Sequence, residues 1–481
     1  MEIENIDDVT AVSTEGSNSV AVEINEADLE AIREAQIEMD IGMYSQDALK
    51  MREEVTRERT RCIYRVLPKQ KEINGNLYKP RAFSIGPYHY GDSDLDQANE
   101  DYKWRCFGTL LDKTQSNGVP YRRYLTEIAQ LDNRIRACYS ENIDLAEFHQ
   151  MIIRDGCFII ELFRAFGRQK LREGRPVPEG QPEPEEFLIT TTERIVPYLH
   201  IDFLLLENQL PFFVLETLFN ISTMPADPLL SLKELALQFF QKPMGITDKF
   251  FQTSIQRSAN LEPMHLLDLV RSSLIPPHPV PQNSVHYAKA QKFPSVLKLR
   301  SAGIEIRMGE AASFLEVKVE NRVIEMPGIA MDDFMRYFLF NCVAYEQCHK
   351  RTTKHMSVYA TFLHCLVNTE SDFDYLYERK VFELGADAEL TGFINKLGKD
   401  LVFDIHSCYL SKAFNDVNEF YRKRYYWKWA TFKREYYNKP WLFISAFLAF
   451  VLLVLTITQT AFAILTYFKK HYPPPPSSSI P

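Results

Sequence analysis

Four places in this sequence carry side chains of the kinds that do chemistry. His89 sits between Tyr88 and Tyr90, just after Gly86-Pro87. Glu207, Asn208 and Gln209 stand together shortly before Pro211, inside an otherwise apolar run. Glu346, Cys348 and His349 close the stretch that begins at Asp332. Arg154, Asp155, Glu161 and Arg164 interrupt the apolar stretch Met151 to Phe166. A carboxylate and an imidazole can trade a proton with a substrate. A thiol beside an imidazole base can act as a nucleophile. Glutamate, cysteine and histidine together resemble part of a metal site.

Each has a structural reading beside the chemical one, and the spacing favours the structural one. Neighbouring Cys348 and His349 would point about 100° apart on a helix, which makes a shared metal awkward. Glu161 and Arg164 are three apart, so they share a helix face and can pair, as buried charges must. Pro211 should break or kink a helix just before it. Glu207, Asn208 and Gln209 then sit where freed backbone groups need hydrogen-bond partners. His89 reads as a packed, hydrogen-bonded residue. No triad, P-loop, dinucleotide fingerprint or metal-ligand spacing is present. No residue is therefore assigned to catalysis, to a cofactor or to a metal. An enzyme reading would have to assemble Glu207, Cys348, His349 and His89 across the fold.

The elements that must position these residues are mostly helical. Helices are expected over about Glu23 to Glu58, Asp94 to Tyr139 with a break at Asn117-Gly118-Val119-Pro120, and Met151 to Phe166, which is apolar nearly all round and so buried. More follow within His200 to Phe219, Leu229 to Phe240, Met264 to Leu274, Asp332 to His349 with an Asp332-Asp333 start, and residues 355–420 with a polar break near Thr369 to Asp374. Asn74-Gly75 signals a turn. Pro68, Pro80 and Pro87 prevent a long helix, and extended segments are expected at Ile63 to Val66 and Ala82 to Ile85. Short strands are expected at Gly303 to Met308, Ser313 to Val319 and Val323 to Met326, with Asn321-Arg322 as a hairpin turn. Loops are expected at 167–187 and 276–295, both rich in proline. The fold class is mainly α with a small β component.

The 481 residues suffice for one large core or two modest ones. Residues 1–47 hold thirteen acidic residues and one basic residue, Arg33. They carry −12 of a chain total of −9, which leaves +3 for the rest. Residues 1–20 have little to bury, and disorder is expected there. The acidic arm 1–47 reads as a solvated face, with docking to a basic partner as the alternative. The start lacks the basic and apolar pattern of a signal peptide. The eight cysteines form no CxxC pair and read as reduced, core-packed thiols.

Trp441 to Phe468 runs twenty-eight residues without a charge. As a helix it would be roughly 42 Å long, against a hydrocarbon core of about 30 Å. It reads as a transmembrane helix. His200 to Phe219 is also very apolar, but Asp202, Glu207, Asn208, Gln209 and Glu216 argue against a second span. Residues 420–440 interleave seven Lys or Arg with tyrosine and tryptophan. Ahead of a span this reads as an interfacial anchor at acidic lipid, not a nucleic-acid surface. Only Lys469 and Lys470 follow the span, so the positive-inside rule places the body in the cytosol and the tail 469–481 outside. The Asn220-Ile221-Ser222 sequon would then stay unused. Thr456, Thr460 and Ala463 share a face and could support self-association, although threonine in a span often bonds back to its own helix.

Six segments, in order, resemble one family: IYRVLPKQ…YKPRAFSIGPYHYG, MIIRDGCFIIELF, DFLLLENQLPFFVLETLF, FLEVKVENRVIEMPGIAMDD, NCVAYEQCH and YYNKPWLFISAFLAFVLLVLTITQT. This resembles the plant family called domain of unknown function 247, across about Cys62 to Phe468. The departures are Leu67, which stands before the proline that often directly follows the valine, and the 167–187 and 276–295 loops, which carry no family pattern. The resemblance implies a plant membrane protein with a helical body and a C-terminal anchor. Association of some grass members with pollen self-recognition implies a recognition role. Resemblance transfers no catalytic residue to this chain.

The chain is thus expected to comprise an acidic arm 1–47, a mostly helical body 48–419, a juxtamembrane segment 420–440, a span 441–468 and a tail 469–481. The leading functional expectation is a single-pass, membrane-anchored recognition, signalling or scaffold module without catalysis, to which the family resemblance adds a role in cell–cell or self-recognition. Its partners would be the bilayer, preferentially the plasma membrane, and an unspecified protein, with no nucleic acid. The alternatives are an enzyme of another class and a purely structural tether.

Overall fold

A computed structural model describes residues 30, 33–45, 51–52, 60–95, 97–172, 186–224, 227, 229–277, 293–383, 388–399, 401, 408–422 and 440–471. Expectations for residues 1–20, for 173–185 and 278–292 within the two proline-rich loops, for the basic segment 423–439 and for the tail 472–481 fall outside these. The chain divides into two compact units, Met1–Thr60 and Arg61–Pro481. In the first, residues 33–45 are helical, and Ile37, Met39, Ile41, Met43 and Tyr44 are all exposed.

The second unit is helical around one buried helix. Phe148–Arg172 runs unbroken for 25 residues and packs against Gln97–Ser116, Tyr121–Gln130, Phe212–Ser222 and Leu232–Gln241. Its sequence explains the position. Met151, Ile152, Ile153, Cys157, Phe158, Ile159, Ile160, Leu162 and Phe163 leave no polar stripe, so all sides must be covered. The helix continues to Arg172, so the first residues of the expected 167–187 loop are helical instead. A second layer comprises Asp333–Cys348, His355–Leu366 and Ala388–Leu397, which pack on one another. Asp332 caps the first of these by accepting from the Met335 N–H (2.8 Å). The polar break near Thr369 is a reciprocal cap: Thr369 and Asp372 each accept the other's backbone N–H at the start of Glu370–Glu378.

The small sheet has the order β1-β3-β2, with β1 Glu305–Gly309, β2 Lys318–Glu320 and β3 Val323–Pro327. β2 and β3 form the expected hairpin. Asn321 (φ 48°) and Arg322 (φ 66°) both adopt the left-handed conformation that a two-residue turn requires. β1 pairs with β3 in parallel, Ile306 beside Ile324 and Met308 beside Met326. β2 is shorter than expected because Ser313 turns the chain: its hydroxyl accepts the Leu315 N–H and its carbonyl the Glu316 N–H.

Two extended segments expected near the start of the unit are not strands. Ile63 makes a single parallel bridge to Tyr139, and Ala82 to Ile85 pairs with no strand. Side chains take the place of the ladder, as described below. At the other end, Pro440–His471 is a continuous helix. Its Ile444–Tyr467 portion is 24 residues long, apolar enough to cross a membrane and uncovered by the rest of the chain.

Candidate functional site

Four of the residues picked out for chemistry, Glu207, His89, Cys348 and His349, lie around the segment Tyr64–Lys71. Asp202 ends the helix Glu186–Asp202, and the chain then runs irregularly through Leu210 before Pro211 starts Phe212–Ser222. Pro211 therefore separates two helices instead of kinking one. The freed stretch Asp202 to Leu210 is wholly buried, polar residues included.

Glu207 is at the centre. Its carboxylate accepts from the Val66 N–H (2.7 Å) and Arg65 Nη1 (3.0 Å), and pairs with Lys71 Nζ (2.6 Å). Burial alone would raise its pKa, but the Lys71, Val66 and Arg65 contacts hold the carboxylate below its ordinary range. Arg65 also bonds Glu141 (3.2 Å) and the Tyr88 carbonyl (3.2 Å), and lies 4.2 Å over the Tyr88 ring. His89 Nε2 comes within 3.6 Å of Glu207 Oε2, beyond hydrogen-bond reach, and burial lowers the imidazole pKa.

Cys348 ends its helix and His349 is the extended residue that caps it, and the two side chains have different partners. Cys348 is hydrogen-bonded to the Leu67 backbone, and burial pushes its thiol up to about 11. His349 stacks on Tyr345 (5.5 Å), meets the edge of Tyr64 (6.1 Å), and shares a hydrogen bond with Thr352 Oγ1 (2.6 Å). Glu207, His89, Cys348 and His349 thus surround one segment, but each has its own setting. The favoured protonation states at neutral pH are a carboxylate, a neutral imidazole and a thiol. A cysteine nucleophile needs its thiol pKa lowered and an acid needs its carboxyl pKa raised, so these shifts run the wrong way for both roles.

What the arrangement does supply is a set of hydrogen-bond acceptors for an irregular backbone. Asp202 accepts the N–H groups of Arg81, Ala82 and Phe83, each at 2.8 Å. Asn208 accepts from the Ile85 N–H (2.6 Å) and donates to the carbonyls of Phe83 (3.0 Å) and Asp202 (2.8 Å). Gln209 donates to Phe203 and Leu205 and accepts from the Leu267 N–H. Asp155 accepts the Gly86 N–H (3.0 Å) and pairs with fully buried Lys103 (2.9 Å). Gly86 has φ +74°, and a Cβ there would lie 2.7 Å from the Gln209 carbonyl, so this joint needs glycine. A buried backbone N–H left unpaired costs about 1–3 kcal/mol. These side chains replace a missing sheet partner for residues 81–86.

Two further hubs have roles that were not expected: Asn341 is not among the residues singled out above, and Glu346 is named there only with Cys348 and His349 as resembling part of a metal or thiol site. Asn341 accepts the Leu206 N–H (2.9 Å) and donates to the Leu77 carbonyl (2.9 Å), joining three distant segments. Glu346 accepts from the Met356 (3.0 Å) and Ser357 (2.7 Å) N–H groups in the first turn of His355–Leu366, and binds buried Arg271 (2.8 Å). Arg271 also bonds the Thr353 carbonyl. The available signal was a lone polar residue inside an apolar helix, but its partners are far away in sequence. The Glu161–Arg164 pair is present (3.2 Å), with Arg164 also on Ser222 and Asp227. Among the described residues, no group of three or more His, Cys, Asp or Glu is placed to hold a metal ion.

Four of the six segments that carried the family resemblance meet at these hubs: IYRVLPKQ…YKPRAFSIGPYHYG, MIIRDGCFIIELF, DFLLLENQLPFFVLETLF and NCVAYEQCH. A family model described as plant protein of unknown function matches residues 63–455. The chain is 30% identical over 431 residues to a UPF0481 protein of Arabidopsis thaliana, covering 84% of this chain and 87% of that one. It is 23% identical over 483 residues to a putative UPF0481 protein of the same plant, covering 81% and 87%. No solved structure matches. The chain belongs to the plant protein family known as domain of unknown function 247.

Proposed function

We propose that this is a single-pass membrane protein whose helical body faces the cytosol and serves as a recognition or scaffold module without catalysis of its own. The observation that carries the reading is a contrast of use. The acidic and amide side chains that might do chemistry are occupied with backbone N–H groups or ion pairs. The apolar side chains of Ile444–Tyr467 are uncovered. An exposed face of that size in water would drive aggregation, and lipid is its natural cover.

The domain plan follows: an acidic arm 1–47, a body 48–419, a juxtamembrane collar 420–440, a span 441–468 and a short tail. Seven Lys or Arg before the span against two after it support a cytosolic body, and the plasma membrane is the location we propose. Protease treatment of sealed vesicles tests the topology. The body should be digested from the cytosolic side while a tag on the tail survives, and a glycan on Asn220 would reverse the orientation. Affinity capture of the membrane-embedded protein tests the module. Reproducible partners are expected, and their loss on removing residues 1–47 would assign docking to the acidic arm.

A further inference from the structure

Cys62 and Cys138 meet where the segment that carries the hubs begins. The N–H groups of Cys62 and Ile63 both donate to the Cys138 carbonyl (2.9 Å each), and the Ser140 N–H donates to the Ile63 carbonyl (2.9 Å). Ile63 and Tyr139 form an isolated parallel bridge, which sets Cys62 beside Cys138, the residue that closes Asp132–Ala137. The two thiols are hydrogen-bonded to each other, and in its neutral form Cys138 Sγ also donates to the Arg134 carbonyl (3.3 Å). Both cysteines are free and buried, 2% and 6% exposed.

We propose that Cys62 and Cys138 form a dithiol site oxidised by hydrogen peroxide to an internal disulfide. The geometry gives the two sulfurs unequal parts. The Cys62 S–H and the nearby Arg134 charge favour the thiolate at Cys138, whereas hydrogen bonding to Cys138 and burial favour the thiol at Cys62. The Cys138 thiolate attacks one peroxide oxygen. The O–O bond breaks and hydroxide leaves, giving a sulfenic acid at Cys138. The Cys62 sulfur then attacks the Cys138 sulfur, the S–O bond breaks, and water leaves with the Cys62 proton. Two thiols lose two electrons and one peroxide becomes two waters. The product ties the start of the 62–90 segment to the end of Asp132–Ala137, and it closes a long loop in the unfolded chain.

The test uses the full chain in detergent micelles. It is titrated with hydrogen peroxide, its free thiols are alkylated, and it is digested without reductant for mass spectrometry. The expected result is one peptide pair joining Cys62 to Cys138, lighter by two hydrogens than the separate peptides and separated by dithiothreitol. The oxidised protein should also melt at a higher temperature than the reduced one. Cys138→Ser should leave Cys62 reduced at the same dose, while Cys365→Ser should leave the link intact. Recovery of both cysteines as thiols at doses that oxidise the methionines would overturn the proposal. So would Cys138 found as sulfinic acid or joined to another cysteine. Because the decisive map is made on the native chain, misfolding of a serine variant does not blunt it.

Discussion

Two stretches of this chain are both strongly apolar and end in opposite surroundings. His200 to Phe219 holds Asp202, Glu207, Asn208 and Gln209, and it lies in the middle of the body, each of these groups bonded to a distant backbone segment. Trp441 to Phe468 holds only hydroxyls and one amide among its apolar residues, and the large side chains of Ile444–Tyr467 are uncovered. Both are long runs dominated by Leu, Ile, Val and Phe. What separates them is where a polar group could find a partner. A carboxylate in lipid has none, whereas in a folded body it can organise backbone that lacks a sheet or helix of its own. The hydroxyls of the terminal helix need no outside help: Thr456 donates to the Leu452 carbonyl and Thr460 to the Thr456 carbonyl, both at 2.8 Å.

The sharpest way to break that contrast is to remove a buried acceptor. Glu346→Ala would leave buried Arg271 with only the longer Asp268 contact (3.6 Å) to balance its charge and strip the acceptor of two N–H groups from the first turn of His355–Leu366. Losing one member of a buried ion pair costs about 3–5 kcal/mol. Thermal unfolding of the body, followed by circular dichroism of the full chain in detergent, should show that loss with no change in membrane attachment. A loss below about 1 kcal/mol would mean that the pair is not the support described here. The mirror experiment places a charge on the uncovered helix. Leu453→Arg puts a guanidinium near its middle, at a cost of about 2.5–3.5 kcal/mol for insertion. The membrane-pelleted fraction should fall while the unfolding of the body stays the same.

The same contrast explains how much could be read from the chain. The buried helix, the terminal helix, the Asn321-Arg322 turn and the Asp332 cap each depend on residues a few positions apart, where periodicity and capping rules apply. The role of Glu207, Asn208 and Gln209 as hydrogen-bonding groups beside Pro211 was legible, because a proline in an apolar run must free backbone groups. Their partners were not. Arg81 and Asp202 are 121 residues apart, and Asn341 and Leu77 are 264 apart. Ala82 to Ile85 reads as extended, but an extended backbone looks alike whether a ladder or side chains accept its N–H groups. The parallel pairing of β1 with β3 was hidden for a related reason, since turn chemistry specifies only the hairpin. Cys62 and Cys138 have no spacing motif at all, and only the fold brings them together.

Acid should bear on the body through its buried titratable groups. Burial lowers His200 and His265 to about 4. A histidine depressed below its ordinary 6.5 contributes stability that is present above 6.5 and lost as pH falls toward the folded value, because the unfolded chain takes up the proton first. Asp202 acts in the opposite sense: burial outweighs its three N–H bonds and raises it to about 6, so protonation relieves a cost as pH falls. Between pH 7 and 5.5 each histidine should remove about 1 kcal/mol and Asp202 should return somewhat less, for a net loss of about 1–2 kcal/mol. Unfolding measured at the two pH values checks the sum. His200→Phe, placed among Phe239, Phe240 and Phe334, should reduce the pH dependence by its own share.

The smallest expected effect is on the terminal helix. If Thr456 and Thr460 served helix self-association, replacing them with valine would cost dimer contacts. Both hydroxyls already donate to their own helix, so the exchange removes local hydrogen bonds and little else. The Thr456→Val, Thr460→Val double variant should anchor as well as the native chain. Its crosslinked dimer fraction in membranes should match the native one to within about 0.5 kcal/mol, the scale of a typical hydrogen bond between membrane helices. A clear fall in that fraction would show that this face is shared between two copies, and that the hydroxyls in the lipid-suited stretch are not merely self-satisfied. The distinction from the buried stretch would then be one of partner and not of principle: both would use polar groups to join separate segments, one within the chain and the other between chains.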